Sequence, residues 1–149
     1  MKIPSKVIIA GITWEVETCG TLYNPITTHP SYAIVSFSET KIQIATKSGW
    51  VMDSKDVSSP LQPNLQIAML FHELWHIYCD MAKVEDLNTE QNANLFGYIS
   101  FNRAIEDQNN IVRALGCALS VMIECGIKVS DIDKSVLEYY IYSTKLEYK

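Results

Sequence analysis

The middle of the sequence constrains the fold most. From residue 64 to about residue 83 the apolar side chains fall at Ile67, Leu70, Leu74, Ile77 or Tyr78, and Met81. That spacing puts them on one stripe of an α-helix. Pro63 and Asn64 suit the start of such a helix. A second stripe carries His72 and His76, with Ala68 and Asp80 or Cys79 along it. The helix is therefore apolar around much of its circumference, which places it at the centre of a domain rather than on its surface.

Strand patterns precede this helix. Val7-Ile8-Ile9 and residues 12–16 flank Ala10-Gly11, a tight hairpin turn. Residues 32–37 are apolar and β-branched, and Lys41-Ile42-Gln43-Ile44-Ala45 alternates at period two. Ser38-Glu39-Thr40 joins those two as a second hairpin. Residues 18–30 and 54–63, punctuated by Pro25, Pro30, Pro60 and Pro63, read as loops.

Helices follow. Residues 84–88 read as a turn, and a second helix runs from near Thr89 to about residue 108, capped by Asn88 or Thr89. Ala93, Phe96 or Gly97, Phe101, and Ala104 or Ile105 form its buried face. Two more helices are predicted over residues 111–125, closed by Gly126, and 131–146, capped by Ser130. There is no internal repeat. The expected class is α+β: a small N-terminal antiparallel sheet packed on the His72-to-His76 helix, followed by further helices.

A chain of 149 residues favours one core, and 48% hydrophobic with 19% charged residues excludes wholesale disorder. A net charge of −5 and a pI near 5.1 argue against a broad basic face, so direct nucleic-acid binding is not expected. No membrane association is expected either. The longest apolar run, residues 67–78, is interrupted by His72, Glu73 and His76. Cys19, Cys79, Cys117 and Cys125 are widely spaced, and residues 1–10 do not resemble a secretory signal. The expectation is reduced thiols in a cytoplasmic chain.

The run His72-Glu73-Leu74-Trp75-His76 carries a mechanism. Side chains four apart on a helix lie one above the other, within reach of one metal ion. Two imidazoles suit zinc, Zn2+, which binds nitrogen at about 2.0–2.1 Å in tetrahedral geometry. Glu73 cannot share that geometry, but it can take a proton from a water held there, acting as general base. The bland alternative is a pair of core histidines satisfied by hydrogen bonds. That alternative leaves Glu73 as a buried charge without a partner.

A hydrolytic site needs a third protein ligand. Glu90, in the first turn of the next helix, is the leading candidate, with Glu85 and Asp86 on the connecting turn as rivals. Asn94, one turn beyond Glu90, is placed to support a ligand. Tyr98 and Arg103 are weaker candidates for stabilising an oxyanion. His29 lies in a Pro-rich loop, and Tyr139, Tyr140, Tyr142 and Tyr148 crowd the C-terminus as packing residues. No phosphate loop, dinucleotide signature or nucleophilic triad is present.

Residues 1–109 resemble the small zincin-type metallopeptidases of the ImmA/IrrE kind and their phage-encoded relatives. Three stretches carry the likeness: Ile3-Pro4-Ser5-Lys6 with the strand that follows, His72-Glu73-Leu74-Trp75-His76, and Glu90-Gln91-Asn92-Ala93-Asn94-Leu95-Phe96. The resemblance implies a zincin-like domain over residues 1–109, with Glu90 as third zinc ligand and peptide hydrolysis as the activity. It also implies a protein or peptide substrate, since some relatives cleave a repressor encoded beside them. Trp75 stands where the family usually has Gly, which implies a bulkier cleft wall. Gly97 replaces the usual Ala after the Phe, and the usual Leu-Leu-x-Pro ending is absent. Residues 110–149 match no part of the family and are expected to be a C-terminal helical extension packed on the same domain. The alternative is a non-catalytic phage or mobile-element protein that uses the metal structurally and acts as a binding module.

Overall fold

Both residues of the Ala10-Gly11 turn take positive φ, 48° and 82°. That conformation matches the twist of two flanking strands and fixes a two-residue hairpin. The computed structural model describes residues 1–49, 51–52, 55–56 and 58–149, with the pairs 51–52 and 55–56 known by backbone only. The hairpin joins β1 (Lys6–Ile9) to β2 (Ile12–Cys19), in register from Ile9 opposite Ile12 to Lys6 opposite Glu15. A short hairpin, β3 (Leu22–Tyr23) and β4 (Pro30–Ser31), leads into β5 (Ala33–Ser36) and β6 (Lys41–Ala45), which pair antiparallel as expected.

The sheet is mixed rather than antiparallel. β6 runs parallel to β2, from Glu15 opposite Lys41 to Cys19 opposite Ala45. A parallel pair requires a long crossover, and residues 20–40 supply it by threading β3, β4 and β5 before β6 returns. Residues 18–30, expected as loop, thus contain the end of β2 and most of this hairpin. Further pairs are β7 (Lys47–Ser48) with β10 (Ser59–Pro60), and β8 (Val51–Met52) with β9 (Lys55–Asp56). The loop expected over residues 54–63 therefore holds β9's and β10's backbone, and its residues 54 and 57 lie outside the described residues.

Four helices follow: α1 (Pro63–Ala82), α2 (Glu90–Glu106), α3 (Ile111–Glu124) and α4 (Asp131–Tyr142). Ser130 caps α4 by accepting from the Asp133 amide, and Gly126 leaves α3 at φ 111°. The last helix stops four residues short of its expected end. Thr144 is buried, with its hydroxyl bonded to the Tyr78 phenol at 2.7 Å and to the Tyr140 carbonyl. The chain turns there and enters β11 (Lys145–Glu147), which pairs antiparallel with β1. The five-stranded order is β11-β1-β2-β6-β5.

The core lies between one face of this sheet and the helices. Val7, Ile9, Ile42 and Ile44 are fully buried from the sheet side. From α1 they meet a helix buried on nearly every side, including Ile67, Leu70, Phe71, Leu74, Trp75, Ile77 and Tyr78. α1 packs on β5 and β6, on α2 and on α4, which makes it the central element its composition predicts. Among the described residues, no helix is long and apolar enough to cross a membrane.

Candidate metal centre

The backbone of α1 and α2 decides where the candidate residues meet. Pro63 opens α1 at a position where a helix needs no amide donor. Lys83 closes it in the left-handed region, φ 57°. A single 3-10 turn, Glu85–Leu87, then reverses the chain. Thr89 starts α2 by accepting the Asn92 amide at 3.1 Å, which makes Glu90 the first residue of the helix. Further along, Gly97 lies against α1 so closely that a Cβ there would sit 2.7 Å from the Ala68 carbonyl oxygen and 3.1 Å from the His72 amide nitrogen. The two helices can approach this far only because the residue is glycine.

This packing brings His72, His76 and Glu90 together. His72 Nε2 lies 3.2 Å from His76 Nε2 and 3.1 Å from Glu90 Oε2, and His76 Nε2 lies 2.9 Å from Glu90 Oε1. Two ring nitrogens and a carboxylate thus turn lone pairs toward one point. A shared proton can join only one pair of them, whereas a cation at the centre satisfies all three. The edge of a tetrahedral zinc shell with bonds of 2.0–2.1 Å is about 3.3 Å long. The donor set and its spacing therefore fit a divalent ion.

The histidines are enclosed while the carboxylate is open. His72 is buried, His76 half-buried, and the Glu90 side chain 74% exposed. Burial holds the His72 ring below its usual pKa, with the Glu90 charge working against it. An imidazole kept neutral is the form that donates a lone pair to a metal. Asn94 acts on the same ring and raises its proton affinity, although His72 Nδ1 closes no hydrogen bond of ordinary geometry.

Glu73 stands apart from the cluster of His72, His76 and Glu90. Its Oε1 lies 3.9 Å from His72 Nε2. It is buried, and that burial pushes its carboxyl up to about 7, with His76 opposing and Glu90 reinforcing the shift. It opens into a cleft of about 270 Å³ lined by Glu73, His76, Asn88 and Glu90 on the helical side. The opposite wall is β5, through Ala33, Ile34 and Val35, followed by Phe37.

The rival candidates lie elsewhere. Glu85 and Asp86 are exposed on the 3-10 turn and border a different depression, with Lys83 and Lys128. Tyr98 is 68% exposed on α2, and Arg103 borders a third depression with Arg113 and Cys117. His29 is exposed in the loop between β3 and β4. Trp75 does not thicken the cleft wall. It is fully buried, stacks near Phe96 with ring centres 5.1 Å apart, and donates its Nε1–H to the Leu87 carbonyl at 3.0 Å.

One residue at the site has no counterpart in the sequence reading beyond a capping role. Asn88 places Oδ1 2.6 Å from His76 Nδ1. The available signal was its position, a polar residue on the short turn between the helices that carry His76 and Glu90. Neither protein-family models, nor curated proteins, nor solved structures give a match to this chain.

Proposed function

We propose that the chain is a zinc-dependent peptidase, with the ion held by His72, His76 and Glu90 and with Glu73 as general base. The observation that carries this reading is the cluster of His72, His76 and Glu90, whose side chains approach one another at 2.9–3.2 Å beside a cleft into which a second carboxylate, Glu73, opens. Zinc bound there supplies Lewis acidity toward a carbonyl and a water of lowered pKa.

The remaining roles belong to the chain. Glu73, buried beside the cleft, is placed to take a proton from a water and return it to a departing amine. Its distance from the donor cluster keeps it free for that transfer. Among the described residues β5 ends the five-stranded order, so one side of it faces the cleft. The Ala45 amide bonds to the Tyr32 carbonyl, so alternate residues on either side of Ala33 and Val35 face β6. The main-chain groups of Ala33 and Val35 therefore point toward the free edge. An extended segment of a protein laid along that edge would present its carbonyl to the site, which favours a peptide substrate over a small molecule. The resemblance to the ImmA/IrrE-like zincins points to the same chemistry.

The test pairs metal analysis with cleavage of a fluorogenic peptide library. Wild-type chain should carry about one zinc and cleave; His72→Ala should lose the zinc; Glu73→Gln should keep zinc and lose cleavage by roughly 10²–10⁴-fold. Cleavage retained by Glu73→Gln sinks the mechanism, and a wild-type chain that takes up no zinc sinks the site.

A further inference from the structure

We infer that Asn88 is the positioning residue for His76: it accepts the Nδ1–H of the ring and thereby turns the Nε2 lone pair toward Glu90 and His72. This rests on the metal-site reading above. An amide oxygen can only accept a hydrogen bond, so a contact of 2.6 Å to Nδ1 requires the proton on that nitrogen. With the proton fixed there, Nε2 is the atom left to bind. The second nitrogen of a metal-binding histidine needs such a partner to set its tautomer and plane. His72 has none of ordinary geometry at its own Nδ1, so Asn88 supplies the stronger orientation of the pair.

The turn that carries Asn88 is itself held from both helices. The Leu87 carbonyl accepts the Trp75 indole N–H from α1 at 3.0 Å and the Asn92 side-chain amide from α2 at 3.0 Å. The Asn88 amide closes on the Glu85 carbonyl at 3.0 Å. Trp75 lies between the two histidines in sequence and is fully buried. Its indole therefore ties the turn to the helix whose ring the turn orients. A simple chain reversal has no need of a buried indole at this carbonyl. A turn that must place one amide oxygen within hydrogen-bond reach of a ring does.

The experiment compares wild type with Asn88→Leu, which keeps the volume and removes the acceptor, and Asn88→Asp, which keeps the acceptor. Zinc affinity is read by competition with a chromophoric chelator. Asn88→Leu should bind zinc 10–100-fold more weakly, and Asn88→Asp should stay within a few-fold of wild type. Imidazole nitrogen and proton NMR of the zinc-loaded protein should show a protected His76 Nδ1–H in wild type and Asn88→Asp, and not in Asn88→Leu. Circular dichroism of the metal-free chains separates a folding defect from a site defect. If Asn88→Leu fails to fold, Asn88→Ser, which shortens the acceptor out of reach, takes its place. Equal zinc affinity across all variants overturns the positioning role while leaving the metal site intact. A wild-type chain that binds no zinc overturns both.

Discussion

Replacing Gly97 by alanine tests whether the spacing between α1 and α2 builds the site. The added methyl would lie 2.7 Å from the Ala68 carbonyl oxygen, 3.1 Å from the His72 amide nitrogen and 3.3 Å from His72 Cα. All three are backbone atoms of a buried helix, so no side chain can rotate away. Reaching the 3.4 Å of ordinary contact from 2.7 Å means parting the helices by about 0.7 Å at this level. Overpacking of this kind costs about 1–3 kcal/mol. Alanine returns about 1 kcal/mol through its better helix propensity. The net loss of stability is therefore about 0–2 kcal/mol, a blunt readout.

Metal affinity is sharper. Glu90 sits two turns before Gly97 on the same helix, opposite both histidines. A metal shell tolerates displacements of only about 0.2 Å, well below the parting required. Gly97→Ala should therefore weaken zinc binding by at least about tenfold, or about 1.4 kcal/mol, while the chain stays folded. Chelator competition measures the affinity, and thermal melts of the metal-free chain measure the stability. Wild-type affinity with an unchanged melting temperature would refute the claim that this contact sets the ligand spacing.

Cys79 supplies an independent check on the core. It is fully buried, and burial pushes its thiol up to about 12, whereas Cys125 is exposed. Alkylation at pH 8 followed by peptide mapping should label Cys125 in the native chain and Cys79 only after unfolding. The same shift makes stability fall with rising alkalinity. Between pH 9 and 12 the folded chain retains a proton at Cys79 that the unfolded chain releases, so stability is intact below about pH 9 and declines above it. The slope from this group is at most about 1.4 kcal/mol per pH unit, and Cys79→Ala should flatten it in urea titrations.

Much of the helical half of the molecule was legible in the sequence because its signals are local. Thr89, Ser130 and Gly126 mark ends of helices by capping chemistry that needs no distant partner. The apolar spacing of α1 announced its central place. The sheet was legible only in part. Period-two alternation in residues 41–45 identifies a strand but not the direction of its neighbour, so the parallel β2–β6 pair was out of reach. Lys145-Leu146-Glu147 is too short for any period to show, and it becomes a strand only because β1 offers it an edge. The candidate site divides in the same way. His72 and His76 follow from helix geometry, and Glu90 from a short turn. The role of Asn88 and the inward turn of Trp75 depend on how two helices pack, which Gly97 decides through contacts with backbone 29 and 25 positions earlier in the chain.

Removal of the metal separates the peptidase reading from that of a structural clip. The core around α1 is built from its packing on β5, β6, α2 and α4, and Glu90 contributes to the site from a side chain 74% exposed. Losing the ion should therefore cost only its binding free energy. At a free zinc concentration a thousand times the dissociation constant this is about 4 kcal/mol. For a chain of this size that corresponds to a fall of about 8–16 °C in melting temperature. Helical circular dichroism at 25 °C should persist after chelation, and re-addition of zinc should restore the melting temperature. A structural clip behaves differently, because its fold is the bound state. Loss of helix on chelation at 25 °C would show that the ion holds the two helices together. It would also remove the argument that His72, His76 and Glu90 are preorganised for chemistry.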